Sequence, residues 1–208
     1  MTINSCSQTL PFSILNAFTD RLDGGNPAAI VHLPSLRALA DVTLQTIASN
    51  FNQPITVFIA PLGRGGRADD NSETTTATFG IRWFTPELEV PLCGHGTLAA
   101  AATVLPCGGE GAEERTTIRF EAMSGKFLVA QRVEEGRIEI ELDSETSVAL
   151  SAEEDSKLRE VLSKALGKDI PVRYTGHGAG HLNMYALIEV DTLDLKNIKV
   201  NTDAFVST

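Results

Sequence analysis

Ile81-Arg-Trp-Phe-Thr-Pro86 and, three residues on, Glu89-Val-Pro-Leu-Cys-Gly-His-Gly-Thr97 form the stretch on which the fold turns. Gly80–Thr85 is dense in β-branched and aromatic residues and reads as a strand. Pro86 to Pro91 is turn-prone, and the alanine-rich run Leu98 to Leu105 reads as a helix. Between them lies Cys93-Gly94-His95-Gly96-Thr97. Its glycines leave backbone N–H groups open to a ligand, and a helix N-terminus adds a partial positive charge that favours anions. A thiol and an imidazole in that field have shifted proton affinities. This combination points to proton-transfer chemistry on a small anionic substrate.

Working outward, Phe12–Phe18 and Ala28–Leu33 read as strands joined by a turn containing Gly24-Gly25-Asn26-Pro27. Ser35 to Phe51 carries apolar residues at helical spacing, with Ser35 as the cap. Ile55–Ala60 is a short β-branched strand, and 64–78 reads as a polar hairpin loop. After the 98–105 helix, the glycine- and glutamate-rich segment 106–114 is the expected domain boundary. Thr117–Ala122, Lys126–Val133 and Arg137–Leu142 read as a strand meander. Ser151–Leu166 reads as a helix opened by the capping box Ser151/Glu154. Pro171–Thr175 and Leu182–Val190 read as further strands, and 193–208 as a loop with one helical turn. The expected class is α+β, with an antiparallel-leaning sheet and one helix per unit.

Bulk properties narrow the function. The chain has 208 residues, 42% hydrophobic, with a formal net charge of −10. That balance argues against nucleic acid and anionic membrane surfaces, which reward basic patches. No apolar run approaches the ~20 residues of a membrane span, and the N-terminus lacks the pattern of a secretory signal. Cys6, Cys93 and Cys107 are odd in number and without paired spacing, so a disulfide framework or zinc ribbon is not expected. A reducing, cytoplasmic compartment is.

Asn16-Ala-Phe-Thr19, Gly25-Asn-Pro-Ala-Ala-Ile30, Ile81–Pro86 and Glu89–Thr97, in this order and spacing, resemble the N-terminal part of the PhzF-like phenazine-biosynthesis isomerases. Those are relatives of diaminopimelate epimerase and proline racemase. The resemblance runs from Pro11 to Leu105 and stays in register through Val190. It implies a diaminopimelate epimerase-like two-lobed fold, each lobe a curled β-sheet around a central helix, with the active site in the cleft. The lobes would be residues 1–112 and a partial second lobe, 113–208. It further implies cofactor-independent isomerisation of a small carboxylate-bearing metabolite by proton transfer, in a homodimer. Gly94, His95, Gly96 and Thr97 would meet the ligand, with Asn26 nearby. Asn52-Gln-Pro-Ile-Thr56 matches the family's Asn-Leu-Ser-Glu-Thr-like stretch, which puts Ile55 where the general acid/base glutamate belongs. A positioned acid or base contributes about 10²–10⁴-fold in rate, and isoleucine carries no proton. The family's C-terminal glycine-rich motif, with its acidic residue and second helix, has no counterpart before Thr208, so the opposite wall of the cleft is expected to be missing.

Each singled-out residue has a plainer reading beside the functional one. His95 contacts the ligand or merely caps the helix. Cys93 removes an α-proton, as in the racemase relatives, with its proton affinity lowered by the helix dipole, or it is a small buried hydrophobe. Ile55, Val57 and Ile59 alternate as core residues of one strand face. Asn26 serves the turn or the ligand. Glu89 and Asp23 are the spare carboxylates that could replace the missing glutamate, or solvated loop residues. His177 and His181 flank Gly178 and Gly180, which is not the spacing of a zinc helix, so no metal site is expected. Gly176-His-Gly-Ala-Gly180 precedes a strand rather than a helix and fails as a dinucleotide fingerprint. Three functions follow: a PhzF-like isomerase, a catalytically impaired binding or dimerisation protein, or a Cys93-dependent racemase.

Overall fold

Ile55, Val57 and Ile59 alternate along one strand with Thr56, Phe58 and Ala60, and all six are buried. A strand buried on both faces needs a layer above it and another below. The computed structural model supplies both. It describes residues 9–21, 23–62, 77–105, 117–142, 146–166, 171–180, 183, 185–192 and 197–205. The expected loop at 64–78 falls almost wholly outside these, as do Cys6, Cys107, His181 and the 106–114 segment.

The elements of the first unit are β1 (Phe12–Ala17), β2 (Asn26–His32), α1 (Asp41–Phe51), β3 (Ile55–Pro61), β4 (Ala77–Phe84), β5 (Glu89–Val90), α2 (Gly94–Val104), β6 (Thr117–Ala122), β7 (Phe127–Arg132) and β8 (Ile138–Glu141). They form one mixed sheet in the order β1-β2-β3-β4-β6-β7-β8, with β5 pairing the end of β4. Two pairs are parallel, β2 with β3 and β4 with β6; the crossovers joining them carry α1 and α2. Because β4 and β6 run opposite to β2 and β3, right-handed crossovers put the two helices on opposite faces. Core membership agrees. Leu44 and Ala48 of α1 pack with Val31, Phe58 and Phe84, whereas Ala99–Ala101 of α2 pack with Ile55, Val57, Ile59 and Trp83.

Helix α2 touches β1, β2 and β3 towards one end of the sheet and β7 and β8 at the other. The sheet therefore curls around it. An axial helix must be thin, and the alanines give it little bulk on any side. Gly96 fits for the same reason, since a Cβ there would lie 2.8 Å from Val57 Cγ2 and 3.2 Å from Ile55 Cγ2.

The second unit comprises β9 (Ser147–Ala149), α3 (Ala152–Leu166), β10 (Val172–Gly178), β11 (Ala186–Val190) and a 3-10 turn at Thr202–Phe205. Its sheet order is β11-β10-β9. The capping box forms as expected: Ser151 Oγ donates to Glu154 Oε2, and that carboxylate accepts from the Ser151 N–H at 3.0 Å.

Several boundaries differ from the sequence reading. Helix α1 starts at Asp41, not Ser35, because Ser35 closes a separate turn that seats Leu36 against Gly80. The 86–91 turn contains the short strand β5. Helix α2 starts at Gly94 rather than Leu98, so the Gly-His-Gly-Thr string is its first turn. Strand β10 continues through Gly176–Gly178, and β9 has no sequence forecast. The compact units are Met1–Asp143 and Ser144–Thr208, against the expected division at 112/113. The parallel pairing of β4 with β6 carries one sheet across that point. Among the described residues no helix is long and apolar enough to cross a membrane.

Candidate functional site

Cys93 is the N-cap of α2, in extended conformation, and Gly94, His95 and Gly96 are its first three helical residues. The first intrahelical bond is donated by the Thr97 N–H to the Cys93 carbonyl at 3.0 Å. The N–H groups of residues 94–96 consequently have no carbonyl of their own helix to bond. The Thr97 hydroxyl is fully buried. It donates to the Cys93 carbonyl at 2.8 Å and accepts from Trp83 Nε1 at 3.2 Å. Thr97 thus braces the mouth of the helix from inside, a positioning role rather than the ligand contact expected of it.

Cys93 Sγ lies 3.3 Å from His95 Nδ1, while His95 Nε2 is buried with no hydrogen-bond partner among the described residues. The rest of the imidazole is half-buried. Burial lowers the proton affinity of His95, and the Pro27 backbone offsets part of that. Burial raises the Cys93 pKa, against the smaller opposing effect of the Gly96 and His95 backbone groups. The expected lowering by the helix dipole is therefore overturned: desolvation of the thiolate outweighs the amides that face it. Burial thus favours the neutral form of both groups, an imidazole beside a protonated thiol.

The turn preceding β2 comes to the same place. Gly25 sits at φ +80°, beyond which Asn26 pairs with Ala17 and opens β2. Its neighbour Pro27 reaches His95, so Asn26 lies one residue from the imidazole. Ile55 is 2% exposed and lies under Gly96. The position matched to the family glutamate therefore sits beneath the helix mouth, filled by a core side chain. On another side Ile140 and Leu142 approach Gly94, at 3.9 and 3.8 Å from where a Cβ would stand.

Neither spare carboxylate is free. Glu89 forms a two-pronged pair with Arg82 (2.8 and 2.7 Å), and Arg82 also reaches Asp41 at 2.8 Å. Asp23 pairs with Arg21 at 2.9 and 2.7 Å, which holds its carboxyl below the usual range. Sequence reasoning missed Arg82, a charged residue on an otherwise apolar strand; that exception was its only signal. His177 lies in β10 with Nδ1 2.9 Å from the Gly178 carbonyl oxygen. Among the described residues no three His, Cys, Asp or Glu side chains cluster as metal ligands would.

This curled sheet around an alanine helix, with a glycine-flanked imidazole at its mouth, defines a class. The family model of phenazine biosynthesis-like proteins matches residues 15–205, and the chain belongs to that family. It is 36% identical over 197 residues to phenazine biosynthesis-like domain-containing protein 2 of Mus musculus, covering 93% of this chain and 62% of that one. It is 36% identical over 137 residues to an uncharacterized isomerase of Halalkalibacterium halodurans, covering 66% of this chain and 44% of the relative. The crystal structure of an Enterococcus faecalis protein of the PhzF family superposes with a TM-score of 0.63 at 22% identity, over 97% of this chain and 65% of that one. The α+β two-lobed fold expected from the sequence is thereby established. The chain spans less than two thirds of the length of these relatives.

Proposed function

We propose that this protein is a PhzF-like isomerase that moves a proton on a small carboxylate-bearing metabolite without a cofactor. The observation that carries the reading is the Cys93–His95 pair at the N-terminus of α2, with a buried, unpartnered Nε2. The N–H groups of residues 94–96, of which those of His95 and Gly96 also face the Cys93 sulfur, hold the substrate carboxylate, with Asn26 at the rim. His95 takes the proton from carbon and returns it at a different position or face. Thr97 fixes the Cys93 carbonyl and so the aim of the turn. A relative described as an isomerase supports this assignment; a cytoplasmic homodimer is part of the same proposal.

Two specific observations favour alternatives. Ile55 at the glutamate position favours a protein that binds the acid without turning it over. The 3.3 Å thiol–imidazole contact favours a racemase in which Cys93 is the base. Incubation with candidate amino acids and cyclic β,γ-unsaturated acids in D₂O separates them. Deuterium entering carbon, and lost in His95→Ala, is the expected result. Uptake abolished by Cys93→Ser yet retained in His95→Ala assigns the chemistry to the thiol. Binding without uptake for every acid makes the chain a binding protein. In Ile55→Glu, exchange should rise if the mapping of position 55 is right.

A further inference from the structure

A neutral thiol and a neutral imidazole hold one proton each, and the groups around them decide where those protons sit. Cys93 Sγ lies 3.3 Å from His95 Nδ1. The backbone N–H groups of His95 and Gly96 face the same sulfur, so amides already use its capacity to accept. Its S–H is left to donate, and Nδ1 is the acceptor within reach; among the described residues no other acceptor is hydrogen-bonded to the thiol. In a neutral imidazole the nitrogen that accepts leaves the ring proton to the other. With Nδ1 accepting, that proton is on Nε2, which is buried without a partner among the described residues. The reverse arrangement aims Nδ1–H at a sulfur that amides occupy and strands both the S–H and the Nε2 lone pair. One buried polar group left unpaired costs less than two.

We infer that Cys93 is the positioning residue of His95: its thiol donates to Nδ1 and fixes the ring's own proton on Nε2. For what the pair then does, the inference rests on the proposed isomerase reading. In returning a proton, the Nε2–H bond breaks and its proton joins the electron pair on carbon. The thiol proton moves to Nδ1, and the S–H electrons stay on sulfur as a thiolate facing the two amides. Taking a proton is the same step reversed. The proton on carbon passes to the Nε2 lone pair, the C–H electrons stay on carbon, and the Nδ1 proton goes back to sulfur. The accepting form therefore carries one proton fewer than the resting pair. Cys93 acts through His95 and never meets the substrate, unlike the base of a racemase.

The test reads the His95 ring nitrogens by long-range ¹H–¹⁵N correlation in the ¹⁵N-labelled full chain at neutral pH, and it needs no substrate. The expected pattern is a protonated Nε2 and an unprotonated, hydrogen-bonded Nδ1. In Cys93→Ala the Nδ1 resonance should move to that of an unbonded nitrogen, and the share of the Nδ1–H form should rise at least about threefold, the weight of one hydrogen bond. Cys93→Ser keeps a donor and should restore the wild-type pattern, which mere packing of the thiol would not explain. A wild-type ring proton on Nδ1 overturns the inference, and so do ring signals unchanged in Cys93→Ala. The isomerase reading is judged apart from this, by deuterium entering carbon in D₂O. A protonated Nε2 without any such uptake bears out the Cys93 role and removes the reaction; uptake with the proton on Nδ1 does the reverse.

Discussion

Gly96 shows how tightly a single position is specified. Its missing Cβ would meet Val57, Ile55 and Trp83 at 2.8 to 3.3 Å. All three neighbours are buried, so none can move away cheaply. Gly96→Ala gains helix propensity of up to ~1 kcal/mol but overpacks a core at about 1–3 kcal/mol. The clash wins: a net loss of about 1 kcal/mol is expected, read as a lower urea midpoint at unchanged slope. The neighbouring His95 makes a pH prediction. Its folded pKa lies below the ordinary imidazole value of 6.5, as does that of His32, both through burial. The unfolded chain therefore binds protons first as pH falls, and stability drops below about pH 6.5. Above that pH both states are neutral there and these residues add no slope. Thermal melts from pH 7.5 to 5 should show the drop, and His95→Gln should flatten it. The carboxylates with lowered pKa, such as Asp155, lose their contribution only in the lower window, below about pH 4.

At the scale of elements, the Arg82 cluster fastens β4, β5 and the start of α1 together. Its energetics are unequal. Glu89 is about two-fifths exposed and grips a nearly buried guanidinium with both oxygens, whereas Asp41 is 82% exposed. Exposed pairs are worth ~0–1 kcal/mol, while hydrogen bonds to a charged group that burial deprives of water are worth about 1.5–3 kcal/mol. Glu89→Gln is accordingly expected to destabilise by about 2 kcal/mol and Asp41→Asn by less than about 1 kcal/mol, measured by chemical denaturation. Strand β5 leads through Pro91 and Leu92 straight to Cys93. The Glu89 variant should therefore also shift the His95 ring resonances, and the Asp41 variant should leave them in place. Helix α3 depends on a more local device, its Ser151/Glu154 box. Ser151→Ala should cost ~1 kcal/mol, seen as faster amide exchange in its first turn.

For the whole molecule, burial is distributed unevenly between the two units. Among the described residues, both apolar clusters lie within Met1–Asp143. The described buried hydrophobic residues of Ser144–Thr208 are Leu162 and Ala165. A unit with so little apolar burial is marginal alone. Residues 1–143 expressed by themselves should fold cooperatively and reproduce the amide spectrum of that part of the full chain. Hydrogen exchange in the full chain should be slowest in β2, β3 and β4 and markedly faster in β9–β11. A 1–143 fragment that stays unfolded would show that the second unit contributes essential stability.

Much of this was legible in the chain itself. The order of strands and helices followed from β-branched runs, alanine runs and glycine-containing turns, because these act through local backbone preference and the periodicity of burial. The alternation of Ile55, Val57 and Ile59 marked a core face. The motifs from Asn16 to Thr97 pointed to the family and put Ile55 at the position of its glutamate, which the structure sets beneath the helix mouth. What local signals could not carry was decided by packing. Only the tertiary structure shows that β4 and β6 pair across the expected boundary, that Thr97 faces inward, and that Glu89 is held by Arg82. The sign of the Cys93 shift belongs there too, since the local field of the amides favours the thiolate and the depth of burial, set by distant residues, outweighs it. Burial depends on what the rest of the chain brings near, which no neighbouring residue encodes.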